Sequence, residues 1–295
     1  MTEMNEEHFE VISRNKAKSF EAKKTMTNMN DFHNNKAKVM LVDGDLLAYK
    51  ITSSLEEPID WGNDVWTLHS DLAKGKQLWK QSIAYYLGIT SSKDVVVAFS
   101  DKVNFRKDLD KTYKSHRKGI RKPICYAPLR KWIESTHKCE TFTALEGDDV
   151  LGLLATGKYK NNNVIVSGDK DMRTIPTWHC FIIDDSIEYV DEQKADYNFC
   201  TQVLTGDSAD GYSGCKGVGQ VKASRVLLDR KTIDELWEAV CSEYHRNGYE
   251  VADAYHQGRL ARILRDGEYN YETKQIILWR THGMYKNSRP SKKAS

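Results

Sequence analysis

LEGDDVLGLLATGKYKNNNVIVSGDKDM, residues 145–172, carries five carboxylates in two tight groups. Glu146, Asp148 and Asp149 stand at the head of an apolar, helix-like run, and Asp169 and Asp171 follow directly on the strand-like run NVIVSG. Lys170 is the one basic residue that interrupts either group. Negative charge crowded in this way is unfavourable in a folded core unless a cation neutralises it. Hard oxygen ligands with no His or Cys nearby point to magnesium or manganese rather than zinc.

Working outward, three more runs have the same form. KVMLV (38–42) is apolar and β-branched and ends at Asp43-Gly44-Asp45, where Asp45 suits the N-cap of the helix LLAYKIT. After a polar stretch holding Trp61 and Trp66, a helix is expected around 70–87. DVVVAFS (94–100) ends at Asp101, and CETFTAL (139–145) ends at Glu146. Strands alternating with helices predict a parallel α/β sheet, and ligand sites in such sheets lie off the carboxyl ends of the strands. Asp43, Asp101, Glu146 and Asp169 are therefore expected to converge on one edge, with Asp148 and Asp171 beside them. One acid after a strand means nothing, but four of four describe a metal site. WHCFIID (178–184) and IEYV (187–190) are expected to close the sheet as an edge hairpin.

Beside this acidic edge the charge inverts. Residues 102–122 contain nine Lys or Arg (102, 106, 107, 111, 114, 117, 118, 121, 122) against two Asp, a net of +7, with Phe105 and Tyr113 interleaved. A basic run is usually a solvated helix face. One that starts next to a proposed metal ligand suits a polyanion laid across the metals, through Arg106, Lys114, Arg117, Lys118, Arg121 and Lys122. Further on, Asp207 and Asp210 add another acid pair. Gly214, Gly217 and Gly219 then lead into a helix of Gln220, Lys222, Ser224 and Arg225. Glycines at a helix N-terminus expose backbone N–H groups to an anion such as a phosphate.

The rest of the composition bounds the class. A chain of 295 residues, 40% hydrophobic, can bury a sizeable core, and its formal charge of +2 averages over segregated acidic and basic stretches. Six scattered cysteines form no CxxC, which reads as reduced thiols. No apolar run approaches the ~18 residues of a membrane span, and the N-terminus lacks the order of a secretory signal, so a cytoplasmic location is expected. Residues 1–37 read as a mobile polar extension and 281–295 as a basic tail. Between 232 and 265 two amphipathic helices are expected, followed by ETKQIILW as a docked helix or strand.

The order Asp43, Asp101, LEGDD, SGDKD, GDSADGYSG and GVGQVKASRVL resembles the 5′-nuclease (flap endonuclease-like) superfamily. YKSHRKGIRKP, DKDMRTIP and QGRLARILRDGEYN bring it nearest to the T7-like phage 5′→3′ exonucleases. The resemblance covers about 38–280. It implies a PIN-like, mostly parallel sheet flanked by helices over 38–191, with a basic gateway at 102–125. A helical DNA-binding subdomain with a helix–three-turn–helix follows over 192–280. By motif, Asp43, Asp101, Glu146 and Asp148 match one metal cluster, and Asp169, Asp171, Asp207 and Asp210 a second. Asp149 matches in some relatives only. Lys114 and Arg117 match a gateway pair that acts in catalysis with Asp169 and Asp171. The turn from Gly217 to Gly219, with Gln220 and Lys222, matches a duplex-backbone contact that can also hold potassium. The implied activity is a two-Mg2+ (or Mn2+) 5′→3′ exonuclease that degrades duplex DNA from 5′ ends and removes RNA primers from RNA–DNA hybrids. The competing readings are a flap endonuclease, a haloacid-dehalogenase-like phosphatase suggested by VMLVDGD and SGDKD, and a DNA-binding protein without catalysis.

Overall fold

The computed structural model describes residues 38–281, so the expected extension and all but the first residue of the expected tail lie outside the described residues. Four apolar residues and a terminal aspartate, Val39–Asp43, form β1 in the middle of a six-stranded sheet. Its neighbours are β4 (Asp94–Ala98) on one side and β6 (Asn163–Ser167) on the other, both parallel, with Leu41 level with Val96 and Ile165. A two-residue β5 (Cys139–Glu140) pairs with β4 in parallel. Beyond β6 come β7 (Thr177–Phe181), parallel, and β8 (Ile187–Val190), antiparallel to β7. The order is β5-β4-β1-β6-β7-β8. The four strands expected to carry acids are thus consecutive and point the same way.

Alternation along β1 explains the two cores. Met40 and Val42 face α1 (Gly44–Ser53), α2 (Leu72–Thr90) and α4 (Tyr126–Thr136), packing with Leu47, Trp79, Ile83, Leu129 and Ile133. Leu41 faces the other way with Val96 and Ile165, against Leu151 and Leu154 of α5 (Gly147–Thr156). Strands buried on both faces read as near-continuous apolar runs, as the middles of β1, β4 and β6 do. Each fully buried Leu or Ile contributes roughly 1.5–3 kcal/mol.

A third core lies in the C-terminal helices α6 (Glu192–Thr205), α7 (Gln220–Val226), α8 (Ile233–Arg246) and α9 (Val251–Ala261). Phe199, Trp237, Tyr255 and Trp279 form its aromatic centre, with the Trp237 and Trp279 rings 4.5 Å apart and edge-on. Capping boxes at Thr232/Glu235 and Glu250/Asp253 start α8 and α9.

Several local expectations are corrected. Asp43, not Asp45, caps α1, accepting from Leu46 N at 3.0 Å. Residues 141–145 of CETFTAL are loop, because β5 stops at Glu140. Glu57–Asp60 (β2) and Trp66–His69 (β3) form an exposed hairpin where only a polar stretch was expected. ETKQIILW contributes a two-residue strand, Gln275–Ile276 (β10), paired with Tyr269–Asn270 (β9). The division at 192 is also incomplete. After α9 the chain returns to the sheet, and Ile263, Leu264 and Tyr269 join the core beneath α5. A short α3 (Arg106–Leu109) and a 3-10 turn (Ser115–Arg117) are the helical content of the basic segment before α4. Among the described residues no helix is long and apolar enough to cross a membrane.

Candidate metal centre and nucleic-acid interface

The acids gather where the parallel strands end. Asp43 is the last residue of β1, and its carboxylate accepts from Leu46 N at 3.0 Å and from Ser167 Oγ, at the end of β6, at 2.8 Å. Burial pushes its carboxyl up to about 6, with Asp45 and Asp169 adding to the rise and the two hydrogen bonds opposing it. Asp148, in the first turn of α5, is pushed well above the usual carboxylate range by desolvation, then by Asp43 and Asp169. Asp171, in the 3-10 turn after β6, is raised to about 7 by burial and then by Asp169 and Asp207. Its Oδ1 is buried with no hydrogen-bond partner among the described residues.

Glu146 is the exception in sign. Burial works to raise it, but Lys114 and Arg106 outweigh burial and hold it down at about 2. Lys114 Nζ lies 2.6 Å from Glu146 Oε1 and 3.3 Å from Asp210 Oδ2. Asp207 accepts from Ala209 N at 2.7 Å and faces Lys170 Nζ at 3.7 Å. Asp169 accepts from Asp171 N at 2.8 Å. After burial, Asp43 is raised by Asp45 and Asp169, Asp148 by Asp43, Asp169 and Glu146, and Asp171 by Asp169, Asp207 and Asp210, so these acids share one edge.

Asp101 stands at the same edge, its N–H bonded to Leu145 O at 2.9 Å, but its carboxylate accepts from Lys102 N and Ala144 N and braces that loop. Two expectations fail. Asp149 is fully buried, and its oxygens accept from Arg106 Nη1 and Nη2, both at 2.7 Å, and from Glu146 N and Leu264 N. It has no face left for a metal. Arg106 is 2% exposed, and its five N–H groups go to Asp149 twice, to Glu146, and to the carbonyls of Leu260 and Arg262. It cannot reach a nucleic acid and instead ties α5 to the end of α9. A single sequence offers no signal for a pairing of residues 43 positions apart.

Among the described residues no group of three or more Asp, Glu, His or Cys side chains is disposed to hold a metal ion as it stands. The chemistry of the donor set is nonetheless that of a divalent-ion site. Its donors are all oxygen, several carboxyls are held above their ordinary range by one another and by burial, and a buried oxygen of Asp171 has no partner. Asp45, read from sequence as a cap, instead receives Ser100 N at 2.6 Å and the Tyr126 hydroxyl.

The basic residues divide. Arg117 is half-exposed beside Asp210 at 3.2 Å, and Lys118 is exposed. Arg121 is held by Glu56 through bonds of 2.7 and 2.8 Å, and Lys122 lies 4.2 Å over the Tyr126 ring. Lys222 is paired with Glu243 at 2.6 Å. In the glycine turn, Gly217 takes φ +75°, which disfavours any side chain, and Gly219 caps α7 ahead of exposed Gln220. A Cβ at Gly217 or Gly219 would meet nothing within 4 Å, so a phosphate backbone can approach both.

Residues 38–200 match a family model described as the 5′-3′ exonuclease, N-terminal resolvase-like domain. The chain is 31% identical to the exonuclease of Escherichia phage T7 over 82% of this chain and 93% of that protein. It is also 31% identical to the exodeoxyribonuclease of Enterobacteria phage T3, over 82% and 92%. In fold it is similar to the T5 D15 protein co-crystallised with metal ions, at a TM-score of 0.59 and 13% identity, covering 76% of this chain and 88% of that one. T5 5′-exonuclease with bound zinc gives a TM-score of 0.58 over the same shares. With a family model over more than half its length and phage exonucleases alike along most of it, the chain is a 5′→3′ exonuclease and belongs to the 5′-3′ exonuclease family.

Proposed function

We propose that this exonuclease hydrolyses duplex DNA from 5′ ends, accepts the RNA strand of an RNA–DNA hybrid, and uses two magnesium ions that manganese can replace. The observation that carries the metal reading is the cluster of acids in which burial, then acidic neighbours, raise Asp43, Asp148 and Asp171, together with the unpartnered buried oxygen of Asp171. Asp43, Asp101, Glu146 and Asp148 would hold one ion, and Asp171, Asp207 and Asp210 the other, with Asp169 sensed from both sides. When bound, the ions activate a water and offset charge on the leaving oxygen of an in-line displacement. Lys114 and Arg117 orient the scissile phosphate and stabilise its developing charge. Ser167 and Leu46 N fix the Asp43 carboxylate in place. The turn from Gly217 to Gly219, with Gln220, holds the duplex backbone away from the cut and offers carbonyls to a potassium ion. Lys118 and Lys122 add phosphate contacts.

Incubating duplexes labelled at each 5′ end in turn, with magnesium or with EDTA, tests this. Release of labelled mononucleotides or short products only with magnesium is expected. Release of long labelled fragments would instead make the enzyme a flap endonuclease, the name carried by relatives from Shewanella baltica at 26% identity over 186 residues. Band shifts without degradation would leave only a binding protein.

A further inference from the structure

Both basic residues that the proposed reaction sends to the phosphate are turned toward acids. Lys114 Nζ touches Glu146 at 2.6 Å and Asp210 at 3.3 Å, so one ammonium spans an acid from each proposed metal group. Its side chain is only 13% exposed. The backbone is set for this position. Lys114 takes φ +50°, a left-handed conformation unfavourable for a residue with a Cβ, and its N–H donates to Asp210 O at 2.8 Å. The neighbouring Tyr113 hydroxyl lies 2.9 Å from Glu146 and 3.0 Å from Asp210, and its single proton serves one of them at a time. Arg117 completes the cover with Asp210 Oδ1 at 3.2 Å and Ala209 O at 2.9 Å.

We propose that Lys114 is the internal counter-ion of the metal site: it holds Glu146 and Asp210 until divalent ions displace it, and the displaced ammonium is the one that meets the scissile phosphate. This rests on the two-ion reading above. The step is an ion exchange, a divalent cation taking the carboxylates that an ammonium held. Because one ammonium cannot occupy both places, metal loading and phosphate capture are linked, and each must strengthen the other. Arg117, held by the same Asp210, is released in the same exchange.

Titrating magnesium and, separately, manganese into the DNA-free full-length protein by calorimetry tests the exchange. Lys114→Met should bind the ions at least fivefold more tightly than wild type, since a competing cation is gone, and Lys114→Arg should bind as wild type does. Equal or weaker binding by Lys114→Met overturns the proposal. A wild-type protein that binds neither ion removes the two-ion reading and this inference together, whereas normal wild-type binding with an unchanged Lys114→Met removes the inference alone. A second readout needs no variant: acetylation of wild-type lysines followed by mass spectrometry. Lys114 should become several-fold more reactive when magnesium is added, and unchanged or reduced reactivity overturns the exchange however the variants fold.

Discussion

Asp171 shows how a single carboxylate separates chemistry from stability. With an unpartnered buried oxygen and its carboxyl raised to about 7, it is only partly ionised at neutral pH in the metal-free protein. Replacing it by Asn removes that charge and keeps the shape. Asp171→Asn should lower the single-turnover cleavage rate by at least ~1,000-fold, the scale of a lost transition-state charge stabiliser, while duplex binding measured in calcium changes little. Near-normal cleavage would discard the metal assignment. A pH dependence follows from the same group and from Asp43 at about 6. Both lie above the ordinary carboxylate value near 4, so between pH 4 and 7 the folded state binds more protons than the unfolded one. That contribution is present at low pH and lost as pH rises through 6 to 7. In EDTA, melting temperature should therefore be lower at pH 8 than at pH 6.5, and saturating magnesium should remove the difference. At this scale the sequence was informative for the acids and less so for their partners. Asp43 and Asp169 could be read from the strand ends they stand at, whereas Glu146 heads α5 well beyond the end of β5. That Asp149 belongs to Arg106 could not, since an ion pair forms by packing and leaves no spacing to read.

Among the elements, α5 bears the largest structural demand. Its head carries Glu146 and Asp148, and its body is clamped by Arg106 and pressed against the returning chain. Breaking a buried ion pair leaves an uncompensated charge, costing about 3–5 kcal/mol. Arg106→Gln should therefore lower unfolding free energy in urea by roughly that amount, and it should do so with magnesium present or absent. Loss of DNA affinity with stability intact would restore Arg106 to the interface. Gly152 sits where a Cβ would meet Leu264 O at 2.2 Å, a backbone atom with little room to move. Gly152→Ala should destabilise by about 1–3 kcal/mol through overpacking, read as a fall in melting temperature. Strands β1, β4 and β6 were legible because each is built on a continuous apolar run, VMLV, VVVA and VIV. The hairpin β2–β3 was not, for every residue of its two strands is exposed, leaving no buried face to read, and its turn uses Gly62, Asn63 and Asp64, all at positive φ. Nor was the shortness of β5, since TFTAL has strand composition but its backbone wraps the Asp101 loop instead.

Over the whole molecule, charge is divided more finely than the sequence indicated. Of the nine basic residues at 102–122, Arg106 is internal, Lys114 faces acids and Arg121 is bound to Glu56. The proposed phosphate contacts are Lys114, Arg117, Lys118 and Lys122, and with about four of them raising salt from roughly 50 to 200 mM should weaken duplex binding roughly 100-fold. A much steeper slope in a filter-binding series would show that the engaged residues let go on binding DNA. The two-part layout was only half readable, because the amphipathic helices announced a separate bundle while only ETKQIILW, read as docked on the core, hinted at a return to the sheet.

That return has a consequence for how the enzyme measures its substrate. Ile263 and Leu264 stitch the last helix under α5, and Arg106 rivets the same junction from within. On the proposed reading, the glycine turn that would grip a duplex and the acids that would cut it are thereby parts of one ruler rather than two modules on a tether, with the stride between them set by protein geometry.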